Sequence, residues 1–220
     1  MLRRSLTALS LLALAAAPLA AQGANDPTKK VEGSTPLPAG WSGRTDRPTD
    51  KLTDAKFVKM GPGFHVTSGP AAIYWSASQS VKGPFVATTT ITQTKAPMHP
   101  EAYGIFFMGK QLDGPEQNYA YFLVRGDGKF LVNHRAGSEV HKIVPWTENA
   151  AVKKQDASGK VTNTLTVDAS KADSVRLLVN GTQVAAIEGN HLGGTDGIVG
   201  LRVNHNLDVH IGEFKVEPKK

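Results

Sequence analysis

Residues Ser174–Ile187 read SVRLLVNGTQVAAI, two apolar-rich runs on either side of Asn180-Gly181. Asn followed by Gly accepts positive φ at both central positions of a type I′ turn, whose twist matches that of paired antiparallel strands. Val175–Val179 and Gln183–Ile187 are therefore expected to form a hairpin. A second hairpin is expected at once, from Gly197–Asn204 to Leu207–Val216 across Asn206. The C-terminal third reads as an antiparallel meander.

The same pattern extends toward the N-terminus. Asn163–Val167 (NTLTV) is a strand, preceded by the polar loop Thr147–Val161 with room for one helical turn around Glu148–Val152. Asn118–Arg125 (NYAYFLVR) and Lys129–Arg135 (KFLVNHR) flank the turn Gly126-Asp127-Gly128, and Glu139–Val144 is a shorter strand leading to Trp146. Tyr103–Met108 and Asn118–Arg125 are apolar on both parities, which marks strands covered on both faces. Phe85–Thr94 (FVATTTITQT) interleaves threonines with apolar residues and suits a half-exposed sheet. Ala55–Met60, Phe64–Thr67 and Ala71–Ser76 complete the set. No stretch keeps a 3.6-residue period and no repeat is evident. About a dozen short strands separated by turn signals indicate an all-β, two-sheet antiparallel sandwich or jelly roll, with a barrel as the alternative.

Residues 1–21 have a different logic. Arg3 and Arg4 precede an apolar core from Leu6 to Ala17, and small residues follow around Ala20 and Ala21, the layout of a secretory signal peptide. The core is shorter than the ~20 residues of a comfortable membrane span, and no later segment is long and apolar enough. The expected product is exported, periplasmic or extracellular, with cleavage after Ala21. Gln22–Thr53 is a Pro/Gly-rich linker that becomes ordered near Trp41, and the sandwich occupies Asp54–Glu217.

The chain has no cysteine, so disulfides, thiol catalysis and cysteine–zinc sites are excluded and stability rests on the core. Net charge is +6, or +4 once Arg3 and Arg4 leave with the signal. The surplus is scattered over loops and termini without interleaved aromatics, which argues against a nucleic-acid partner.

The series NYAYFLVRGDGKFLV, NTLTV, VRLLVNGTQVAAI and DGIVGLRVNHNLDVHIGEFKV resembles the concanavalin A-like lectin/glucanase superfamily. Within it, the likeness is to laminin-G-like modules and to 3-keto-disaccharide hydrolase-type domains of exported bacterial proteins. The resemblance covers about Asp54–Val216, and its marks are mainly structural. It implies a jelly-roll sandwich and an oligo- or polysaccharide partner, bound by a monomer.

Sugar recognition needs aromatic rings for the apolar faces of pyranoses and planar polar groups for their hydroxyls. The aromatic candidates are Trp75, Tyr103, Tyr119, Tyr121 and Trp146. The polar candidates are Arg125, Asn133, Arg135, Arg202 and Asn204. Alternation puts Tyr119, Tyr121 and Arg125 on one strand face, and likewise pairs Asn133 with Arg135 and Arg202 with Asn204.

Glucanases of this superfamily carry a Glu-x-Asp-x-Glu type run that sets acid and nucleophile on one strand face. This chain has none, and a binding module without turnover is favoured. The alternatives are a glycosidase-type enzyme on a modified keto sugar and a laminin-G-like protein-interaction or cell-envelope domain. No cofactor is expected. The cluster Asn204–His210 offers a weaker alternative, a Ca²⁺ or other divalent-metal site at His205, Asp208 and His210, against an ordinary polar hairpin tip.

Overall fold

The computed structural model describes residues 28–32, 36–171, 173–188 and 192–219. The signal segment, most of the linker's first part and His191 lie outside them. Among the described residues sixteen strands follow in chain order. The first eight are β1 (Trp41–Thr45), β2 (Ala55–Met60), β3 (Gly63–Ser68), β4 (Ala72–Ser76), β5 (Ser80–Val81), β6 (Phe85–Gln93), β7 (Ala102–Lys110) and β8 (Asn118–Arg125). Then come β9 (Lys129–Ala136), β10 (Glu139–Glu148), β11 (Val161–Lys171), β12 (Ser174–Val179), β13 (Thr182–Glu188), β14 (Gly197–Val203), β15 (Asp208–Ile211) and β16 (Lys215–Pro218).

They form two antiparallel sheets. The front sheet runs β1-β4-β14-β7-β8-β9-β10 with β5 beside β14, and the back sheet runs β13-β12-β11-β6-β15-β3-β2 with β16 beside β6. The all-β two-sheet sandwich expected from the alternation is the fold. Between the sheets lie Phe57, Phe85, Ile91, Phe107, Phe122 and Leu165, all almost wholly buried. Removing each such side chain from water contributes about 1.5–3 kcal/mol.

The opening hairpin is β12–β13, with Asn180 at φ 51° and Gly181 at φ 83°, both in the region a type I′ turn requires. Asn180 also ties the turn to its surroundings. Its Oδ1 accepts from the Thr164 N–H at 2.9 Å, and its Nδ2 donates to the Ala151 carbonyl at 2.8 Å.

The second expected hairpin is not one. β14 pairs with β4 and β7 in the front sheet, whereas β15 pairs with β3 and β6 in the back sheet. Asn206 does turn the chain, at φ 57°, but its N–H donates to the Gly69 carbonyl and buried Leu207 plugs the end of the core. The two runs share an apolar face because they oppose each other across the core, not because they are neighbours in a sheet. The closing strand is also split. The Gly212 N–H donates to the Thr90 carbonyl, and β15 and β16 then pair with different stretches of β6.

Other differences are local. β10 continues to Glu148 through two register shifts, taking Trp146 into the sheet, and Asn149–Val152 closes a hydrogen-bonded turn instead of a helix. β1, at the point where order is expected to begin, pairs with β4. Its Trp41 ring packs on Phe57 and Phe64 with centroids 5.2 and 4.6 Å away.

Candidate functional site

Alternation along each strand sends every second residue of the front sheet away from the core. Register then lines these residues up across strands. One row runs from Arg44 through Ile73, Arg202, Gly104 and Leu123 to Leu131, and the next from Gly200 through Phe106 and Tyr121 to Asn133. Tyr119 stands opposite Arg135, and Trp75 shares the face with Ile73. Gly200 has a spatial reason, because a Cβ there would collide with the Phe106 ring and the Tyr74 carbonyl.

The result is a second apolar cluster, separate from the main core, with polar groups set into it. Phe106, Tyr119 and Tyr121 follow one another along the face with their rings tilted, centroids 5.3 and 5.8 Å apart. Arg202 is 4% exposed, a depth at which an unpaired guanidinium is costly. Its Cζ lies 4.7 Å from the Tyr121 ring centroid, and its Nη1 donates to the Tyr119 hydroxyl at 3.2 Å. Its charge is met by Asp46, which accepts from Nη1 at 2.7 Å and from Nη2 on its other oxygen.

Asp46 lies just past β1 and is fixed by its own N–H to the Ala71 carbonyl at 2.9 Å. Arg135 Nη2 approaches the same carboxylate at 3.5 Å. Burial pushes the Asp46 carboxyl up, but the charge and hydrogen bonds of Arg202 and the fields of Arg135 and Arg44 outweigh it and hold it below its ordinary value. Arg44 Nη1 donates to the Leu112 and Gly114 carbonyls and so pins the β7–β8 loop over the cluster.

Six sequence candidates, Trp75, Tyr119, Tyr121, Asn133, Arg135 and Arg202, are thus gathered on the front sheet's outer face. Their depth differs from the open platform that stacking on sugars needs: Trp75, Tyr119 and Tyr121 are only 5%, 0% and 5% exposed. Polar groups have the better access. Asn133 Nδ2 donates to the Tyr121 hydroxyl at 3.0 Å, and Arg135 is partly exposed. Arg125 and Trp146 form a separate group farther along. The guanidinium grips Asp127 at 2.8 and 2.7 Å and lies 4.2 Å over the indole, which is 38% exposed. Asn204 caps β14, its N–H donating to the Ala102 carbonyl at 2.9 Å and its Oδ1 buried without a partner.

Alternation did not point to Asp46, Arg44 or Phe106. The first two sit in a Pro/Thr/Asp-rich stretch that reads as linker, where the spacing Arg44-x-Asp46 beside Trp41 is the only signal. Phe106 belongs to a run apolar on both parities, which hides its direction.

Two of the three residues of the metal alternative have other partners, while His210 Nδ1 is buried without one. Asp208 accepts from the Thr94 and Thr67 hydroxyls and lies 3.2 Å from His65 Nε2, while His205 Nδ1 lies 3.1 Å from Glu101. Asp208 and His210 share a face of β15. Among the described residues no group of three or more His, Cys, Asp or Glu is arranged to hold a metal ion.

An open hollow of about 1030 Å³ lies at the β7–β8 and β9–β10 ends of the front sheet, lined in part by Glu116, Asn118, His134 and Glu139. His134 Nε2 is 3.0 Å from the Asn118 amide oxygen, and its ring stacks on His141 at 5.9 Å.

The strand order and register define an antiparallel two-sheet β-sandwich of the jelly-roll type. No protein-family model matches the chain, and no curated protein matches it. Solved structures do. The carbohydrate-binding module CBM66 from Bacillus subtilis is similar with a TM-score of 0.58 at 14% identity, over 81% of this chain and 95% of that one. The carbohydrate recognition domain of Emp46p, in its potassium-bound form, is similar with a TM-score of 0.53 at 15% identity, over 81% and 88%. A protein of unknown function with a galectin-like fold, also from Bacillus subtilis, gives 0.50 at 12% identity, over 81% and 89%. At such identities the likeness establishes the fold.

Proposed function

We propose that the chain is an exported carbohydrate-recognising module that binds an oligo- or polysaccharide on the outer face of the front sheet without turning it over. One observation carries this reading. The strand register collects Tyr121, Asn133, Arg135 and Arg202 on one face, with Arg125 and Trp146 farther along it, and sets planar hydrogen-bonding groups beside aromatic carbon. The likeness to carbohydrate-binding sandwiches supports the ligand class, and the signal-type N-terminus supports export. Turnover is left out on chemical grounds. Asp46 and Asp127 are each held by an arginine, and both are shifted below the ordinary carboxylate value. A carboxyl that stays ionised at neutral pH is a poor general acid for glycosidic oxygen.

The hollow around His134, Glu116 and Glu139 favours a second reading, an enzyme acting on a modified sugar, because it holds imidazole and carboxylate together. The deciding experiment incubates Gln22–Lys220 with a polysaccharide and oligosaccharide panel, with and without EDTA, and scores binding and product release. Binding without product, insensitive to EDTA, is expected. Product release moves the assignment to the hollow, and loss of binding in EDTA restores the Asn204–His210 cluster. Silence across the panel overturns carbohydrate recognition.

A further inference from the structure

The front sheet's outer face has unmatched charge. Arg44, Arg135 and Arg202 surround the single carboxylate of Asp46, leaving a surplus of two positive charges. Arg202 uses both ends of its fork on Asp46. Arg44 spends its Nη1 on backbone carbonyls. Arg135 has much less: one contact at 3.5 Å, to an oxygen that Arg202 already occupies, with its Nε buried and unpartnered. A guanidinium carries five N–H donors in a planar fork suited to a carboxylate. The Arg135 Nη groups are therefore largely uncommitted, and its side chain remains 11% exposed.

The neighbours extend the same preference. Asn133 is two residues away on the same strand face, and its amide nitrogen is engaged with Tyr121, which leaves its oxygen as an acceptor for a hydroxyl. Lys142 stands directly opposite Asn133 on β10 and is exposed. An acceptor for hydroxyls thus lies between two cations.

Resting on the carbohydrate reading, we infer that the ligand is an acidic saccharide of the uronate type, its ring carboxylate held by Arg135 and an adjacent hydroxyl by Asn133. A planar carboxylate matches a single free fork, and its charge offsets the local surplus. Arg135 is the specificity-determining residue, and Lys142 adds longer-range attraction. A neutral polymer offers nothing to neutralise this face.

Isothermal titration of Gln22–Lys220 with oligogalacturonate, its methyl ester and its carboxyl-reduced neutral counterpart tests the inference, with dextran sulfate as a second anion. The acid form is expected to bind best, and esterification to weaken it by roughly tenfold or more, the worth of a charge-assisted hydrogen bond. Arg135→Gln should remove that preference, Arg135→Lys should restore only part of it, and Lys142→Gln, at an exposed position, should weaken the acid form alone. Thermal melts confirm that each variant is folded. Equal affinity for acid and ester overturns the uronate assignment while leaving carbohydrate recognition standing. Preference for dextran sulfate overturns it in favour of a bare anion site. Binding to none of these polymers overturns the uronate assignment, and carbohydrate recognition falls with it if the wider panel is silent too.

Discussion

The two outer faces of the sandwich are built from different chemistry. The back sheet turns threonines outward, and they satisfy one another across the β6–β11 ladder. Thr88 pairs with Thr166, Thr90 with Thr164 and Thr92 with Thr162, hydroxyl oxygens 3.1, 2.8 and 2.8 Å apart. Both strands alternate between buried and partly exposed positions, the pattern of a sheet with one wet face. The front sheet's central strands β4, β7 and β8 are buried on both faces almost throughout. Its outer face holds an ion pair, a row of tilted rings and two buried guanidinium Nε groups without partners. A surface of mutually paired hydroxyls has fewer donors left to offer a ligand. A face with spare donors in a low-dielectric setting has more.

The largest effect that separates the faces is at Arg202. Arg202→Ala should cost about 3–5 kcal/mol, because it leaves the Asp46 carboxylate, Tyr119 hydroxyl and Tyr121 ring without the group they were folded around. Urea unfolding measures it directly. A cost below ~1 kcal/mol, typical of an exposed pair, means that the front face is as solvated as the back one and the contrast fails.

Acid sharpens the comparison next. Asp46 on the front face and Asp168 on the back both sit below their ordinary value. For each, burial opposes the shift and other contacts overcome it: Arg202 first for Asp46, Ser170 and then Arg176 for Asp168. A depressed folded-state pKa gives stability that is present above the unfolded value of 3.8 and is lost as pH falls through the folded value. The partners differ in screening, since the Arg202 side chain is 5% exposed and the Arg176 side chain 40%. Asp46→Asn should therefore flatten the loss of stability below about pH 4 more than Asp168→Asn does. Melting temperatures from pH 7 down to pH 2 check it, and equal flattening contradicts the difference in screening.

Much of this contrast is legible in the sequence. The threonines of β6 and β11 alternate with apolar residues, so their direction follows from a period of two. Tyr119, Tyr121 and Arg125 lie two and four residues apart on a strand with a sharp turn at its C-terminal end, and parity puts them on one face. Failures fall where local pattern carries no long-range information. Nothing between Gly197 and Val216 says that the chain changes sheet at Asn204–Leu207, because each run needs a buried face in either topology. Asp46 is invisible for a related reason, as its partner Arg202 is 156 residues away. Depth is also not encoded locally. Whether Tyr119 is an open platform or a buried support depends on the loop that Arg44 pins, which no alternation describes.

Trp146 gives a smaller and cleaner effect. The indole is exposed on one side and covered by Arg125 on the other, an arrangement worth about 0.5–1 kcal/mol at accessible sites. Trp146→Ala should cost no more than that in thermal or urea unfolding, yet weaken saccharide binding measurably. A large loss of stability makes the ring a structural prop, and unchanged binding removes it from the site.

The finest contrast comes from deleting one oxygen on each face. Thr164→Val keeps the β-branched shape that suits a strand. It removes a hydroxyl whose partner on Thr90 is exposed and can turn to water, so the cost should be about 0.2–1 kcal/mol. Adding Thr90→Val should restore part of it, since no hydroxyl is then left without its cross-strand partner. Tyr119→Phe makes the same deletion where water cannot compensate. The Arg202 N–H that donates to this hydroxyl is buried, and losing its acceptor should cost about 1–3 kcal/mol. Measured in one host under one denaturant, the two single variants share their chemistry and differ only in what replaces the lost bond. If Thr164→Val proves the costlier, water reaches the front face as freely as the back, and the buried donors cannot be held in reserve for a ligand.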